Sequence, residues 1–196
     1  MNKVLNVGGN NKSIALPPHF AGWEHILLDI DAKGNPDIVL DARRLTQLAP
    51  AAYDAVYCAH NLEHYYRHDG VQVLRGFLHI LKEDGFAHVV VPDIGELMQK
   101  VVSAGMDIDD FLYQSALGPI SVRDVLYGLG SEIERSGNDF YAHKTGFTCK
   151  ALYGVLESCG FSHVYVRSGN LEITAIAFKN RPGAAAISLL GLPAFS

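Results

Sequence analysis

The sequence predicts an α/β domain with a mostly parallel central sheet of about seven strands, the last of them antiparallel. Three observations predict it. Short apolar segments recur at Lys3 to Val7, His25 to Ile30, Asp37 to Leu40, Tyr53 to Ala59, Phe86 to Val91, His163 to Arg167 and Glu172 to Phe178, with helical or loop stretches between most of them. Phe86 to Val91 is an apolar run of the kind found in a parallel strand buried on both faces. The last two segments are joined only by Ser168-Gly169-Asn170, which reads as an antiparallel hairpin.

Each element has a local reason. Gly8-Gly9-Asn10-Asn11 is turn chemistry after the first strand. Pro17-Pro18 exclude a long helix before Trp23. Gly34-Asn35-Pro36 turns the chain into the third strand. Val71, Leu74, Leu78 and Leu81 recur at helical spacing, so Val71 to Lys82 is expected to be a helix stopped by Glu83-Asp84-Gly85. Thr148 caps a helix with Leu152, Val155, Leu156 and Cys159 on its core face, and Gly160 ends it.

Between Asp93 and Ala142 no strand is evident. Glu96 to Ala104, Asp107 to Ala116 and Ser121 to Arg135 read as helices, stopped in the first two cases by Gly105 and by Gly118-Pro119. Ser121 and Asp124 resemble a capping box. Residues 94–142 are therefore expected to be a helical insert after the fifth strand. They would form a cap over the ligand-binding edge of the sheet in one domain spanning 1–196, not a second domain. Phe111, Leu112, Tyr113, Leu126 and Tyr127 give the insert more apolar surface than a solvated loop needs. A dimer surface is the competing expectation.

Composition limits the classes open to the chain. Its 196 residues are 48% hydrophobic and 19% charged, which suits a globular domain. A net charge of -5 and a pI near 5.9 give no broad nucleic-acid footprint, and no nucleic-acid partner is expected. The three cysteines are odd in number and form no CxxC pair, so neither a disulfide framework nor a zinc cage is expected, and Cys58 and Cys159 read as buried. No secretory signal is visible. The apolar tail from Ala184 to Phe195 contains Gly191 and Pro193 and falls short of the ~20 residues of a membrane span. A cytoplasmic protein without a membrane span is expected, either a monomer or a homodimer, with a small-molecule partner.

Four places carry candidate chemistry. The first is Val7-Gly8-Gly9-Asn10, where glycine lets backbone approach a ligand. Nucleotide phosphates would need a helix N-terminus just beyond such a turn, and the prolines leave little room for one, so a ligand without phosphates fits better. The second is Asp29, 21 residues after Gly8, where a carboxylate is placed to accept both hydroxyls of a ribose. Asp31 shares its face of the strand. The third is Asp41-Ala42, whose carboxylate can accept an adenine amino group while the Ala42 amide bonds a ring nitrogen. The fourth is Ala59-His60-Asn61-Leu62-Glu63-His64, after the fourth strand, at the sheet edge where open α/β folds bind ligands. A metal site from His60, Glu63, His64 and His68 does not match a helical HExxH pattern, and no metal is expected.

These residues resemble the class I S-adenosylmethionine (SAM)-dependent methyltransferases, in particular small bacterial members of the methyltransferase type 11 kind. The resemblance rests on LNVGGN at Leu5–Asn10, GWEHILLDID at Gly22–Asp31, DIVLDARRL at Asp37–Leu45 and YDAVYCAHNLEH at Tyr53–His64. It continues through LKEDGFAHVVVPD at Leu81–Asp93 and HKTGFT and LESCGF between His143 and Phe161. It implies a Rossmann-like methyltransferase fold and SAM as cofactor. It implies that Val7, Gly8, Gly9 and Asn10 approach the methionine part, that Asp29 holds the ribose, that Ile30 packs on adenine and that Asp41 and Ala42 frame it. Ala59, His60 and Leu62 would line the sulfonium side.

The chain departs from the family pattern in three places, one of them a shortened helix after the glycine turn. Asn10 stands where a second glycine is usual, and Asn6 where many members are acidic.

The implied activity is methyl transfer to an acceptor of small-molecule or saccharide type. Alignment of nucleophile and methyl supplies much of such a rate, up to ~7–11 kcal/mol in ideal geometry. Where the acceptor must lose a proton, His60 and His143 are the candidate bases. Tyr65, Tyr66, Tyr141 and Phe147 are candidates to line the acceptor pocket. One alternative is a non-catalytic binding or partner module on a degenerate methyltransferase fold, which Asn10 favours. A nicotinamide-dependent oxidoreductase would want a GxGxxG turn and a phosphate helix, and the sequence has neither.

Overall fold

The computed structural model describes residues 1–115 and 117–193. Ala116 and the tail beyond residue 193 lie outside the described residues. The strands are β1 (Lys3–Val7), β2 (Glu24–Asp29), β3 (Ile38–Val39), β4 (Tyr53–Ala59), β5 (Leu81–Pro92), β6 (Phe111–Ser115), β7 (Gly118–Ser121), β8 (His163–Gly169) and β9 (Glu172–Phe178). The helices are α1 (Arg67–Ile80), α2 (Ile94–Ala104), α3 (Val122–Tyr127), α4 (Gly130–Ser136), α5 (Cys149–Cys159) and α6 (Ala184–Leu190).

Seven strands form one sheet in the order β3-β2-β1-β4-β5-β9-β8. Pairing is parallel from β3 to β5, and β9 runs antiparallel to both β5 and β8. The β8–β9 turn is tight, because Gly169 pairs with Glu172 and both Asn170 and Leu171 have positive φ. Chain order reverses between β1 and β4. That reversal opens a crevice beyond the carboxyl ends of these two strands, and the segments after Val7 and after Ala59 border it.

Strand alternation sends side chains into two apolar layers. On one face Leu5, Val7, Val56, Cys58 and Val89 pack against Val73, Leu74 and Phe77 of α1 and Leu152 and Leu156 of α5. On the other, Val4, Ala55, Phe86, Ile176 and Phe178 pack against Phe20, Leu16 and Trp23. No α-helix connects β1 to β2; Pro17 and Pro18 introduce only a 3-10 turn at Pro18–Phe20. The tail completes this thinner layer, with Ala186, Leu190 and Leu192 resting on it. Its apolar character is therefore used in packing. Among the described residues, no helix is long and apolar enough to cross a membrane.

Three expectations need correction. The helix expected over Val71 to Lys82 starts at Arg67 and ends at Ile80, because Leu81 already pairs with Tyr53 in the sheet and is fully buried. Residues 107–115 are not helical. Leu112 is buried between exposed Phe111 and Tyr113, a period-two pattern, and these residues form a hairpin with Gly118–Ser121. Pro119, unable to sit in a helix interior, occupies the second of those strands. The helix expected from Ser121 to Arg135 breaks at Gly128, which has φ 92° and lies so close to the Tyr141 carbonyl that a Cβ would sit 2.1 Å from it. The insert is therefore mixed α and β. Its own small core is Leu97, Leu112, Ile120, Val122 and Val125, joined by Leu171 from the β8–β9 turn. The Ser121–Asp124 capping box, the Thr148 cap and the Gly160 stop form as expected.

Candidate active site

The crevice at the β1/β4 reversal is a cavity of about 740 Å³. Its floor is the turn after β1. Gly8 adopts φ 72° and donates to the Leu28 carbonyl at 2.8 Å. Any Cβ on Gly8 would meet the Asn61 side chain at 2.1 Å, and one on Gly9 would meet Asn6 at the same distance. The glycines thus admit two asparagine side chains of the protein itself. Asn10 takes φ 60°, a left-handed conformation that asparagine accepts better than most residues. The turn keeps a glycine-like shape at the position where the sequence departs from the family pattern.

Asp29 ends β2 and ties the turn to it. Its Oδ2 accepts from the Asn10 N–H at 3.0 Å and its Oδ1 from the Asp31 N–H at 2.9 Å. Ile30 follows with its side chain 38% exposed into the cavity wall, which suits a flat apolar ligand face. Asp41 also lines the cavity, but its carboxylate is already engaged. It accepts from the Arg43 backbone N–H at 2.9 Å and from the Arg43 guanidinium through Nη2 at 2.6 Å. Burial would raise the Asp41 pKa, and the Arg43 hydrogen bonds overcome this and hold it below the usual carboxylate value. Val7, Ala42 and Leu62 are buried in the main core and do not line this cavity. Ala59 and His60 face the cavity, as do Tyr65, Tyr66 and Tyr141. Phe147 packs on the main core instead.

His60 follows β4 with φ 49°. Its Nε2 lies 2.9 Å from Glu172 Oε1, and its Nδ1 lies 3.6 Å from Glu63 Oε1. Burial alone would lower its pKa, but the two carboxylates outweigh burial and raise it to about 10. An imidazole held protonated has no lone pair with which to take a proton. The two carboxylates thus disfavour the base role expected of His60. His143 differs. Burial lowers its pKa, against the opposing pull of Glu63, and its Nδ1 lies 2.9 Å from the Val125 carbonyl.

A second cavity of about 1290 Å³ lies under the insert and meets the first at Asn10, Asp31, His60, His64, Leu117 and Tyr141. His143, Glu63, Tyr113 and Glu172 line it. Sequence reasoning missed Arg43 and Glu172 and gave Asn6 and Asn61 no role of their own. Asn61 was inside a motif already singled out, and Arg43 stands beside Asp41. Glu172 lies 112 residues from His60, and no local pattern links them.

A scan against protein-family models finds no match, and neither does a search of curated proteins. Among solved structures, the chain is similar to a SAM-dependent methyltransferase from Archaeoglobus fulgidus, at 17% identity and a TM-score of 0.56, over 90% of this chain and 85% of that one. It is similar to a SAM-dependent methyltransferase from Thermotoga maritima, described as a possible histamine N-methyltransferase, at 14% identity and a TM-score of 0.55, over 92% and 83%. It is similar to PigF with SAH at 12% identity and a TM-score of 0.54, over 91% and 56%. With the parallel sheet, the reversed strand order and the antiparallel β9, this likeness shows that the chain carries the fold of the class I SAM-dependent methyltransferases.

Proposed function

We propose that the protein binds SAM in the smaller cavity and transfers its methyl group to an acceptor in the cavity under the insert. The observation that carries this reading is Asp29. It ends β2 beside the Gly8–Asn10 turn, and its carboxylate oxygens are fixed by two backbone N–H groups in a cavity that Ile30 also lines. Each carboxylate oxygen keeps a further lone pair for a ribose hydroxyl. The cavity volume falls within the range of small-molecule sites.

Charge supports the same reading. Asp29, Asp31, Asp41, Asp69 and Asp139 line the cavity against Arg43, Lys144 and His60, whose pKa is raised. This acidic balance suits a ligand carrying a sulfonium and an ammonium. It does not suit a pyrophosphate, and no α-helix N-terminus follows the glycine turn to hold one. When bound, SAM supplies an electrophilic methyl group. The chain supplies position: Asp29 and Ile30 hold the nucleoside end, and the Gly8–Asn10 backbone holds the amino-acid end. Ala59 and His60 border the methyl, and His60 and His143 reach the acceptor side.

The insert, in this reading, is a cap over the acceptor. It roofs the larger cavity through Tyr113, Leu117, Ile120, Val125 and Leu129. The acceptor class is small-molecule or saccharide. Isothermal calorimetry with S-adenosylhomocysteine tests the cofactor assignment. One site per chain with micromolar affinity is expected, and a folded protein that gives no heat would refute it.

A further inference from the structure

Glu63 is 1% exposed, and neither of its carboxylate oxygens has a hydrogen-bond partner. His60 Nδ1 lies 3.6 Å from its Oε1, beyond ordinary hydrogen-bond length. A buried, unpartnered carboxylate is costly, and such groups generally have an ion or a water to explain them. Two imidazoles stand beside it. Glu63, His64 and His143 each offer one ligand atom, and these atoms lie within 4.8 Å of one another.

The outer contacts of both imidazoles are those of metal ligands. His64 Nδ1 lies 3.1 Å from the Ala142 carbonyl, and His143 Nδ1 lies 2.9 Å from the Val125 carbonyl. A carbonyl only accepts, so each Nδ1 carries the hydrogen and each Nε2 keeps its lone pair. Backbone carbonyls orient metal-bound histidines in this way. The backbone holds the three together over a long sequence span. Lys144 and Thr145 donate their N–H groups to the Glu63 carbonyl at 2.8 and 3.2 Å, and His143 donates to the Tyr127 carbonyl at 3.0 Å. Gly128, where a Cβ would meet the Tyr141 carbonyl, lets the insert approach closely enough to deliver His143.

We propose that Glu63, His64 and His143 bind a divalent transition-metal ion. Two imidazoles and one carboxylate suit zinc or cobalt and not magnesium or calcium, which prefer oxygen ligands. Donors bound at about 2.0–2.2 Å to one ion stand at most about 4.4 Å apart, so closing the cluster needs a shift of less than about an ångström. Three protein ligands leave coordination positions open, and all three residues line the cavity under the insert. The ion would therefore take an oxygen or nitrogen atom of the acceptor. That consequence rests on the methyl-transfer reading, whereas the ion site itself does not.

The test uses the full chain, first stripped with a chelator. Titration with cobalt(II) should give visible d–d bands that saturate at one ion per chain, and dialysis against zinc should leave one zinc per chain. Glu63→Gln and His143→Gln should each weaken zinc binding at least tenfold. Zinc should also raise the wild-type melting temperature, a readout that needs no variant to fold. S-adenosylhomocysteine affinity of Glu63→Gln should stay within about twofold of wild type, which keeps the ion site separate from the cofactor site. Wild-type protein that retains no zinc and shows no cobalt bands overturns the proposal. So does unchanged zinc affinity in both variants. Loss of S-adenosylhomocysteine binding with zinc binding intact would sink the methyl-donor reading and leave the ion site standing.

Discussion

At the residue scale the site depends on a few groups that do two jobs. Asp29 closes the β1 turn through the Asn10 N–H and faces the cavity. Replacing it with alanine removes a hydrogen-bonded carboxylate from the proposed ribose contact, a loss of about 1.5–3 kcal/mol, or roughly ten- to hundredfold in affinity. Calorimetry on Asp29→Ala should show that weakening; parent-like affinity in Asp29→Ala together with a loss in Asp31→Ala would move the ribose contact two residues along the chain. The placing of Asp29 at the end of β2, beside the glycine turn, was legible because strand, turn and carboxylate come at a short fixed spacing. The engagement of Asp41 by Arg43 was not, since it depends on side-chain rotamers after the third strand. Nor was the pairing of His60 with Glu172, which comes from the far end of the chain.

At the element scale the sheet was readable and the insert was not. All seven main strands arise from apolar runs with turn chemistry between them. The insert lacks that redundancy: Phe111, Leu112 and Tyr113 are apolar in succession, and only burial of Leu112 alone reveals the strand period. Leu171 shows how the insert is held. It occupies φ 63°, an unfavourable region for leucine, yet buries its side chain in the insert core, and its N–H donates to Glu96 Oε2 at 2.9 Å. Leu171→Asn removes that anchor and relieves the backbone, so the insert should loosen by about 2 kcal/mol while β9 keeps its protection. Hydrogen exchange resolves the two regions, and equal loss in both would show that the insert does not open on its own. In the wild type, protection of residues 94–142 should rise with S-adenosylhomocysteine plus acceptor. Protection that follows protein concentration and ignores ligand would make the insert an assembly surface instead of a cap.

At the scale of the whole molecule, the two faces of the sheet are unequal. One is covered by α1 and α5, the other by the loop through Phe20 and by the tail helix. His88 lies in the thinner layer, 7% exposed, with its Nδ1 3.3 Å from His19 Nε2. Burial, with smaller contributions from His19 and Arg167, lowers its pKa to about 3. The unfolded chain therefore takes up this proton below about pH 6.5, and the folded chain does not until about pH 3. Stability is intact above that window and falls as pH drops through it, by about 1.4 kcal/mol per pH unit from this group. Thermal melts of wild type and His88→Gln between pH 7 and about 4.5 should diverge, with the variant less acid-sensitive; parallel curves would remove His88 as the cause. The mostly parallel sheet with its antiparallel last strand followed from sequence, because it rests on chain-wide patterning; the spatial order of the strands did not. The meeting of Glu63, His64 and His143 did not, because it needs the folded insert. A crystal structure of the protein soaked with S-adenosylhomocysteine tests the cofactor assignment at atomic detail. The ribose should lie on Asp29, the adenine on Ile30 and the sulfur beside Ala59 and His60. Density for the ligand anywhere else, or none at saturating concentration, would contradict it.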